Sequence, residues 1–236
     1  MIAIKNVSKK YFRETVVSGI SLAVRDGTVF GFLGQNGSGK TTTMKMIVGI
    51  TAPSAGTIEI DGESTGDISI HEKIGYMPEA PYFYDRLTGI EFLRFSGELF
   101  RDVTQSDTQY ENLLKKVGIY DARNKAIWTY SKGMKQRLGF AQALVNNPKY
   151  IFLDEPLDGL DPIGRREIKE IIKTLKAEGK TVFFNSHILY DTEELCDEIG
   201  IINEGRLLYH GSVKDFSKGR SLEENFISLV EKHTKI

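Results

Sequence analysis

Two acids in succession, Asp154 and Glu155, follow the run Tyr150-Ile151-Phe152-Leu153 and precede Pro156. A short apolar run closed by a proline reads as a strand buried on both faces, and open α/β sheets bind ligands at the carboxyl ends of such strands. One carboxylate there can serve a metal and the other a water. A second group gives the pair something to act on: Gly34, Gln35, Asn36, Gly37, Ser38, Gly39, Lys40 and Thr41 satisfy the pattern G-x-x-x-x-G-K-[ST] at every position.

The chemistry of that pattern is anion binding. Residues 29–33 read as a buried strand, and residues 41–50 carry apolar side chains at helical spacing, so the order is strand, loop, helix. The glycines at 34, 37 and 39 are expected to take backbone angles closed to other residues and to turn successive N–H groups toward a phosphate. The start of the following helix adds partial positive charge. Lys40 reaches the β- and γ-phosphates, the Thr41 hydroxyl can ligate Mg²⁺, and Thr42 faces the phosphates beside it. With the metal between phosphates and Thr41, Asp154 is the acid that fixes its shell through a bound water. Glu155 is then free to orient and deprotonate a water attacking the γ-phosphorus, a role worth about 10²- to 10⁴-fold in rate.

The elements that must position these groups follow from periodicity. Residues 2–7, 16–24 and 56–61 read as antiparallel strands, with a turn at Asp61-Gly62. Residues 28–33, 74–77, 150–153 and 181–185 read as central parallel strands separated by helices. Residues 198–203 and 206–210 form a last hairpin across Glu204-Gly205. Between Glu79 and Tyr130, residues 89–100 and 108–120 have helical patterns. Ser131 is a good N-cap for a helix through Gln136, Leu138, Ala141, Leu144 and Val145. The fold class is α/β: a P-loop NTPase core with a mainly parallel central sheet, an antiparallel β-subdomain and an inserted α-helical subdomain. The whole chain is expected to be one domain, with residues 1–78 and 146–211 as core, 79–145 as the helical insert and 212–236 as a helical tail packed on the body through Leu222, Phe226, Leu229 and Val230.

In their order along nearly the whole chain these motifs resemble the nucleotide-binding subunit of ATP-binding cassette (ABC) transporters. Residues 34–41 resemble its Walker A loop, 150–155 its Walker B strand, Gly159-Leu160-Asp161 its D-loop, and His187 its switch histidine. The resemblance implies ATP and Mg²⁺ as ligands and Tyr11 as the ring stacked on adenine. It implies a dimer in which Ser131 and Gly133 touch the γ-phosphate held by the opposite subunit, with Asp161 coupling the two subunits. His187, placed after the strand 181–184, would stabilise phosphate charge or orient Glu155. Two motifs depart from the family. The signature reads Tyr130-Ser131-Lys132-Gly133-Met134 instead of Leu-Ser-Gly-Gly-Gln, and Glu79 stands where a glutamine usually contacts metal and water. A glutamate there is expected to strengthen metal attraction or raise a neighbouring carboxylate's pKa.

Composition narrows the rest. In 236 residues the 31 basic and 32 acidic side chains leave a net charge of −1, which gives no general attraction for nucleic acid or an anionic membrane. Cys196 is alone, so no internal disulfide is expected and its role is packing. No stretch approaches the roughly 20 apolar residues of a spanning helix, and the N-terminus has no signal-like apolar region. The resemblance therefore implies transmembrane permease subunits on separate chains, a second ATPase subunit, no nucleic-acid partner, and a cytoplasmic location on the inner face of the membrane. The aromatic cluster Tyr82, Phe83, Tyr84 and Arg86 is either a docking surface for the permease or core of the insert. With the short tail after the last hairpin, the run YSKGMKQR and the SLEENF tail, the chain resembles ATPases of bacterial drug, polysaccharide or ion exporters rather than sugar importers. Two other readings stay open: a soluble cassette that clamps nucleic acid or ribosomes, and a regulatory module that holds ATP with little hydrolysis.

Overall fold

The computed structural model describes residues 1–100 and 106–233. Its centre is a six-stranded sheet of order β10-β9-β3-β8-β7-β6. Three of these strands, β3 (Val29–Leu33), β7 (Tyr150–Asp154) and β8 (Thr181–Ser186), are buried at every residue. They pair in parallel with each other, β6 (Ile74–Met77) pairs in parallel with β7, and β9 (Glu198–Asn203) pairs in parallel with β3. Only β10 (Arg206–Ser212) runs antiparallel, on the edge. The last hairpin thus extends the central sheet beyond β3. Leu33 aligns with Ser186 and Asp154 with Asn185, so the chains leave β3, β7 and β8 at one level.

Side chains alternate across this sheet with the period of two that a strand imposes. One face sends Phe30, Phe32, Tyr150, Phe152 and Phe183 toward helix α1 (Lys40–Ile47) and a second, four-stranded antiparallel sheet of order β2-β1-β4-β5. That sheet is built from β1 (Ile2–Tyr11), β2 (Glu14–Val24), β4 (Ala55–Ile60) and β5 (Glu63–Ser64). β1 runs four residues past its expected end because register shifts after Ile4 and Val7 let it follow β2 to the hairpin tip. The other face sends Ile151, Leu153, Val182 and Phe184 toward α2 (Gly89–Glu98), α3 (Asp107–Lys116), α4 (Lys132–Ala143) and α5 (Pro162–Ala177).

Helix ends follow their capping residues. Thr88 and Glu91 close a capping box at α2, Ser131 accepts the Met134 N–H at α4, and Asp161 accepts the Gly164 N–H at α5, where Pro162 occupies the first turn. In α5 the residues Ile168, Ile171, Ile172 and Leu175 form the buried stripe. Helix α1 stops at Ile47, three residues before the expected end, with Gly49 following at φ +79°. After α6 (Leu189–Leu195), α7 (Val213–Phe216) leads to α8 (Leu222–His233). There Leu222, Phe226 and Val230 are buried against Leu33, Ile199 and Ile201, and Leu229 packs partly on the same cluster. Residues 101–105 of the expected insert and 234–236 of the expected tail lie outside the described residues. Among the described residues no helix is long and apolar enough to cross a membrane.

Candidate functional site

The phosphate loop joins β3 to α1. Gly37 and Gly39 have φ of +79° and +106°, as expected for residues that turn N–H groups outward. Gly34 differs: its backbone is ordinary, and what it needs is room. A Cβ there would stand 2.4 Å from the Ile202 carbonyl oxygen and 2.4 Å from Ser38 Oγ. The expectation of a special backbone angle at Gly34 is corrected to one of close approach by β9. Lys40 is buried, and its Nζ donates to the Gly34 carbonyl at 2.8 Å and the Gln35 carbonyl at 3.3 Å. Burial lowers the Lys40 pKa, against the pull of Glu155, Asp154 and Glu79.

Asp154 ends β7 fully buried. Its Oδ1 accepts from Asn185 Nδ2 at 2.8 Å and from the Thr41 hydroxyl at 3.3 Å, while Oδ2 has no hydrogen-bond partner among the described residues. A buried carboxylate oxygen without a donor is costly. A hydrated cation beside Thr41 would satisfy it, and a hydroxyl with one carboxylate suits Mg²⁺, which keeps most of its waters. Among the described residues no group of three or more His, Cys, Asp or Glu forms a ready metal cage. Where Mg²⁺ binds, Thr41 and Asp154 would hold it, and it would neutralise phosphate charge.

Glu155 follows in a left-handed backbone conformation, φ +50°, which L residues rarely adopt. Its N–H donates to the Asn185 carbonyl at 3.2 Å. Its Oε2 lies 2.9 Å from His187 Nδ1, and its Oε1 lies 3.8 Å from Lys40 Nζ. Burial raises the Glu155 pKa, and the nearness of His187 and Lys40 opposes that rise. The result is a carboxyl moved toward the range in which it can take up a proton and give it back.

Apart from the buried Asp154, which does not line it, these groups meet in one cleft of about 450 Å³. Asn36, Gly37, Gly39, Lys40, Thr41 and Thr42 form one wall, and Glu79, Glu155 and His187 arrive from the loops after β6, β7 and β8. Tyr11, Ser131, Gly133 and Asp161 do not line it. Tyr11 is half exposed at the end of β1, with the Lys9 ammonium 5.0 Å from its ring centre. Ser131 and Asp161 serve their own helices as caps.

Comparison with known proteins places this arrangement. Residues 17–158 match the ABC transporter family. The chain belongs to that family. Among its relatives, an uncharacterised ABC transporter ATP-binding protein of Nostoc sp. is 48% identical over 210 residues, which cover 87% of this chain and 63% of that protein. The chain therefore spans under two thirds of that relative's length. A lantibiotic transport ATP-binding protein of Streptococcus pyogenes is 36% identical over 98% of this chain and 97% of its own. A solved ATP-binding subunit of an ABC transporter superposes with a TM-score of 0.89 at 30% identity, covering 98% of this chain and 99% of that one. A dimeric ATP-binding cassette in a post-hydrolysis state with ADP and Pi gives a TM-score of 0.84 at 25% identity, over 90% of this chain and 99% of that one.

Three side chains of this cassette matter at the site and were not singled out in the sequence. Asp158 lines the cleft and receives Lys132, whose Nζ lies 3.3 Å from Oδ2. Asn185 fixes Asp154. Gln136, buried in α4, donates to the Glu155 carbonyl at 3.3 Å. Asn185 carries a readable signal, a polar residue closing an apolar strand. The partners of Asp158 and Gln136 come from other elements, and spacing does not reveal them. Lys132, in the first turn of α4, is turned toward its own chain's Asp158.

Proposed function

We propose that this cassette is the ATP-binding and hydrolysing motor subunit of an ABC transporter of the export type. Two copies, or this chain and a relative, would close head to tail around two Mg-ATP molecules. The observation that carries the reading is the convergence of Lys40, Glu155 and His187 at the phosphate loop while Ser131 and Gly133 stand outside the cleft. On this reading each chain supplies half of a composite site from each of two faces. Lys40 and residues 34–42 bind the phosphates, Tyr11 stacks on adenine, Thr41 and Asp154 hold Mg²⁺ with Glu79 near its shell, Glu155 is the general base and His187 orients it. Ser131 and Gly133 complete the partner subunit's site, and Asp161 couples the two.

The division into a core of residues 1–78 and 146–211, a helical insert of 79–145 and a tail of 212–236 belongs to the same reading. So does the permease on separate chains at the inner face of the membrane. A groove of about 580 Å³ between β6, α2 and α4 supports it: Ile50, Ile68 and Leu99 are exposed there beside Tyr76 and Phe100, so it suits an apolar helix of such a permease. Of the aromatic cluster, Phe83 is core, whereas Tyr82 and Tyr84 are exposed and Tyr84 meets Phe95 of α2 edge-on at 5.3 Å. The name of the Streptococcus pyogenes relative, a lantibiotic transport ATP-binding protein, supports a transport role.

The experiment is Glu155→Gln. It is expected to keep ATP binding, to slow phosphate release by about 10²- to 10⁴-fold and to leave a dimer that survives gel filtration in ATP. Phosphate release at the rate of the unaltered chain would overturn the assignment.

A further inference from the structure

At φ +50° the peptide of Glu155 rests where an L residue is strained, so its neighbours must hold it there. They do so at both ends. The N–H is taken by the Asn185 carbonyl, and the Glu155 carbonyl accepts from the Asp158 N–H at 3.1 Å and from Gln136 Nε2 at 3.3 Å. The same Nε2 lies 3.5 Å from the Pro156 carbonyl. Gln136 is only 6% exposed, and a buried primary amide is costly unless its hydrogens find acceptors. Here the acceptors belong to the loop that carries the base, and neither belongs to the phosphate loop. Gln136 also sits five positions after Ser131 in α4, within the helix whose first turn carries Ser131 and Gly133.

We propose that Gln136 is a positioning residue for hydrolysis, its amide clamping the Glu155 and Pro156 carbonyls to helix α4 so that the base keeps its place only while the helix keeps its own. The proposal rests on the reading of Glu155 as general base. Without the amide, the two peptides lose a donor and the strained angle loses a restraint, and the carboxylate shifts relative to the phosphates. A displacement near 1 Å at a reacting group can cost about a hundredfold in rate. Nucleotide binding by residues 34–42 is untouched. The clamp also gives α4 two duties, since movement of its first turn against a neighbouring subunit is passed to the base of its own chain.

The test measures kcat, KM and affinity for a fluorescent ATP analogue in the full chain and in Gln136→Met, Gln136→Glu, Glu155→Gln and the double variant Q136M/E155Q. Methionine keeps the volume without a donor, and glutamate keeps the shape while facing the carbonyls with oxygen. Both single variants at 136 are expected to bind nucleotide within about twofold, to keep KM within about threefold and to lose about ten- to a hundredfold in kcat. Added to E155Q, the Met change is expected to alter the residual rate by less than about twofold, because a residue acting through the base has nothing left to position. Full kcat in both 136 variants overturns the proposal. So does an undiminished effect of Q136M in the E155Q background, or loss of nucleotide binding in both, which would place Gln136 in the fold alone. Full hydrolysis by E155Q itself would instead remove the general base reading, and the clamp with it.

Discussion

His187 Nδ1 lies 2.9 Å from Glu155 Oε2, although the two residues leave different strands of the sheet. The contact exists because β7 and β8 are parallel and end at one level, so the loops that follow them open side by side. If Glu155 is the base proposed above it works ionised, and since burial raises its pKa, the acid limb of the pH profile of kcat/KM is expected to lie higher than for an ordinary carboxylate. His187 and Lys40 hold that rise down. His187→Ala removes one restraint, so the limb should move to higher pH still. A limb that stays put or moves down in a pH titration of phosphate release would refute the link between the two residues.

Asp154 carries an opposed pair of demands. Its unpartnered buried Oδ2 penalises the nucleotide-free chain, while the same oxygen suits a metal's hydration shell. Asp154→Asn is therefore expected to leave the melting temperature at or above its original value without nucleotide. Hydrolysis should meanwhile require a higher Mg²⁺ concentration. Thermal melts and a Mg²⁺ titration check the two halves, and a clear drop in melting temperature would contradict the first.

The observed cap at Ser131 can be separated from its proposed contact with a neighbour's phosphate. Ser131→Ala loses the cap of α4, about 1 kcal/mol or roughly 2–4 °C in a chain of this size. Ser131→Asp keeps an acceptor for the Met134 N–H and should melt normally, yet it would bring a carboxylate to a neighbour's phosphate. We expect the aspartate variant to lose ATP-dependent dimerisation in gel filtration. Normal dimerisation by S131D would leave Ser131 as a cap only.

The groove beside α2 offers a check on partner docking. Leu99→Asp places a charge on an exposed position that does not line the phosphate cleft, so ATP binding by the purified chain should be unchanged. Co-purification with the proposed permease partner should fall by about tenfold or more, as expected when a charge is buried unpaired in an apolar interface. Undiminished recovery of that permease would move the docking face elsewhere.

Much of the site could be read from the chain because its instructions are local. Lys40 and Thr41 follow their glycines within one loop, Asp154 and Glu155 follow their strand, and Ser131 and Asp161 cap the helices they precede. What could not be read depends on which elements become neighbours. The need for glycine at 34 arises from the Ile202 carbonyl of β9, a strand distant in sequence that is brought beside the loop by its parallel pairing with β3. Lys132 finds Asp158 and Gln136 finds the Glu155 carbonyl across loops that sequence distance does not relate. The run Tyr82-Phe83-Tyr84 was ambiguous because exposure alternates along it. Phe83 turns inward to meet Phe92 at 5.1 Å, and its two neighbours turn out.

The left-handed angle at Glu155 sets a selective conflict at that position. A glycine there would relieve strain of about 1–3 kcal/mol, so a screen for heat resistance alone would favour it while discarding the carboxylate. Stability and turnover therefore pull residue 155 in opposite directions, and a hardier cassette obtained by random mutagenesis should be sequenced there before its rate is trusted.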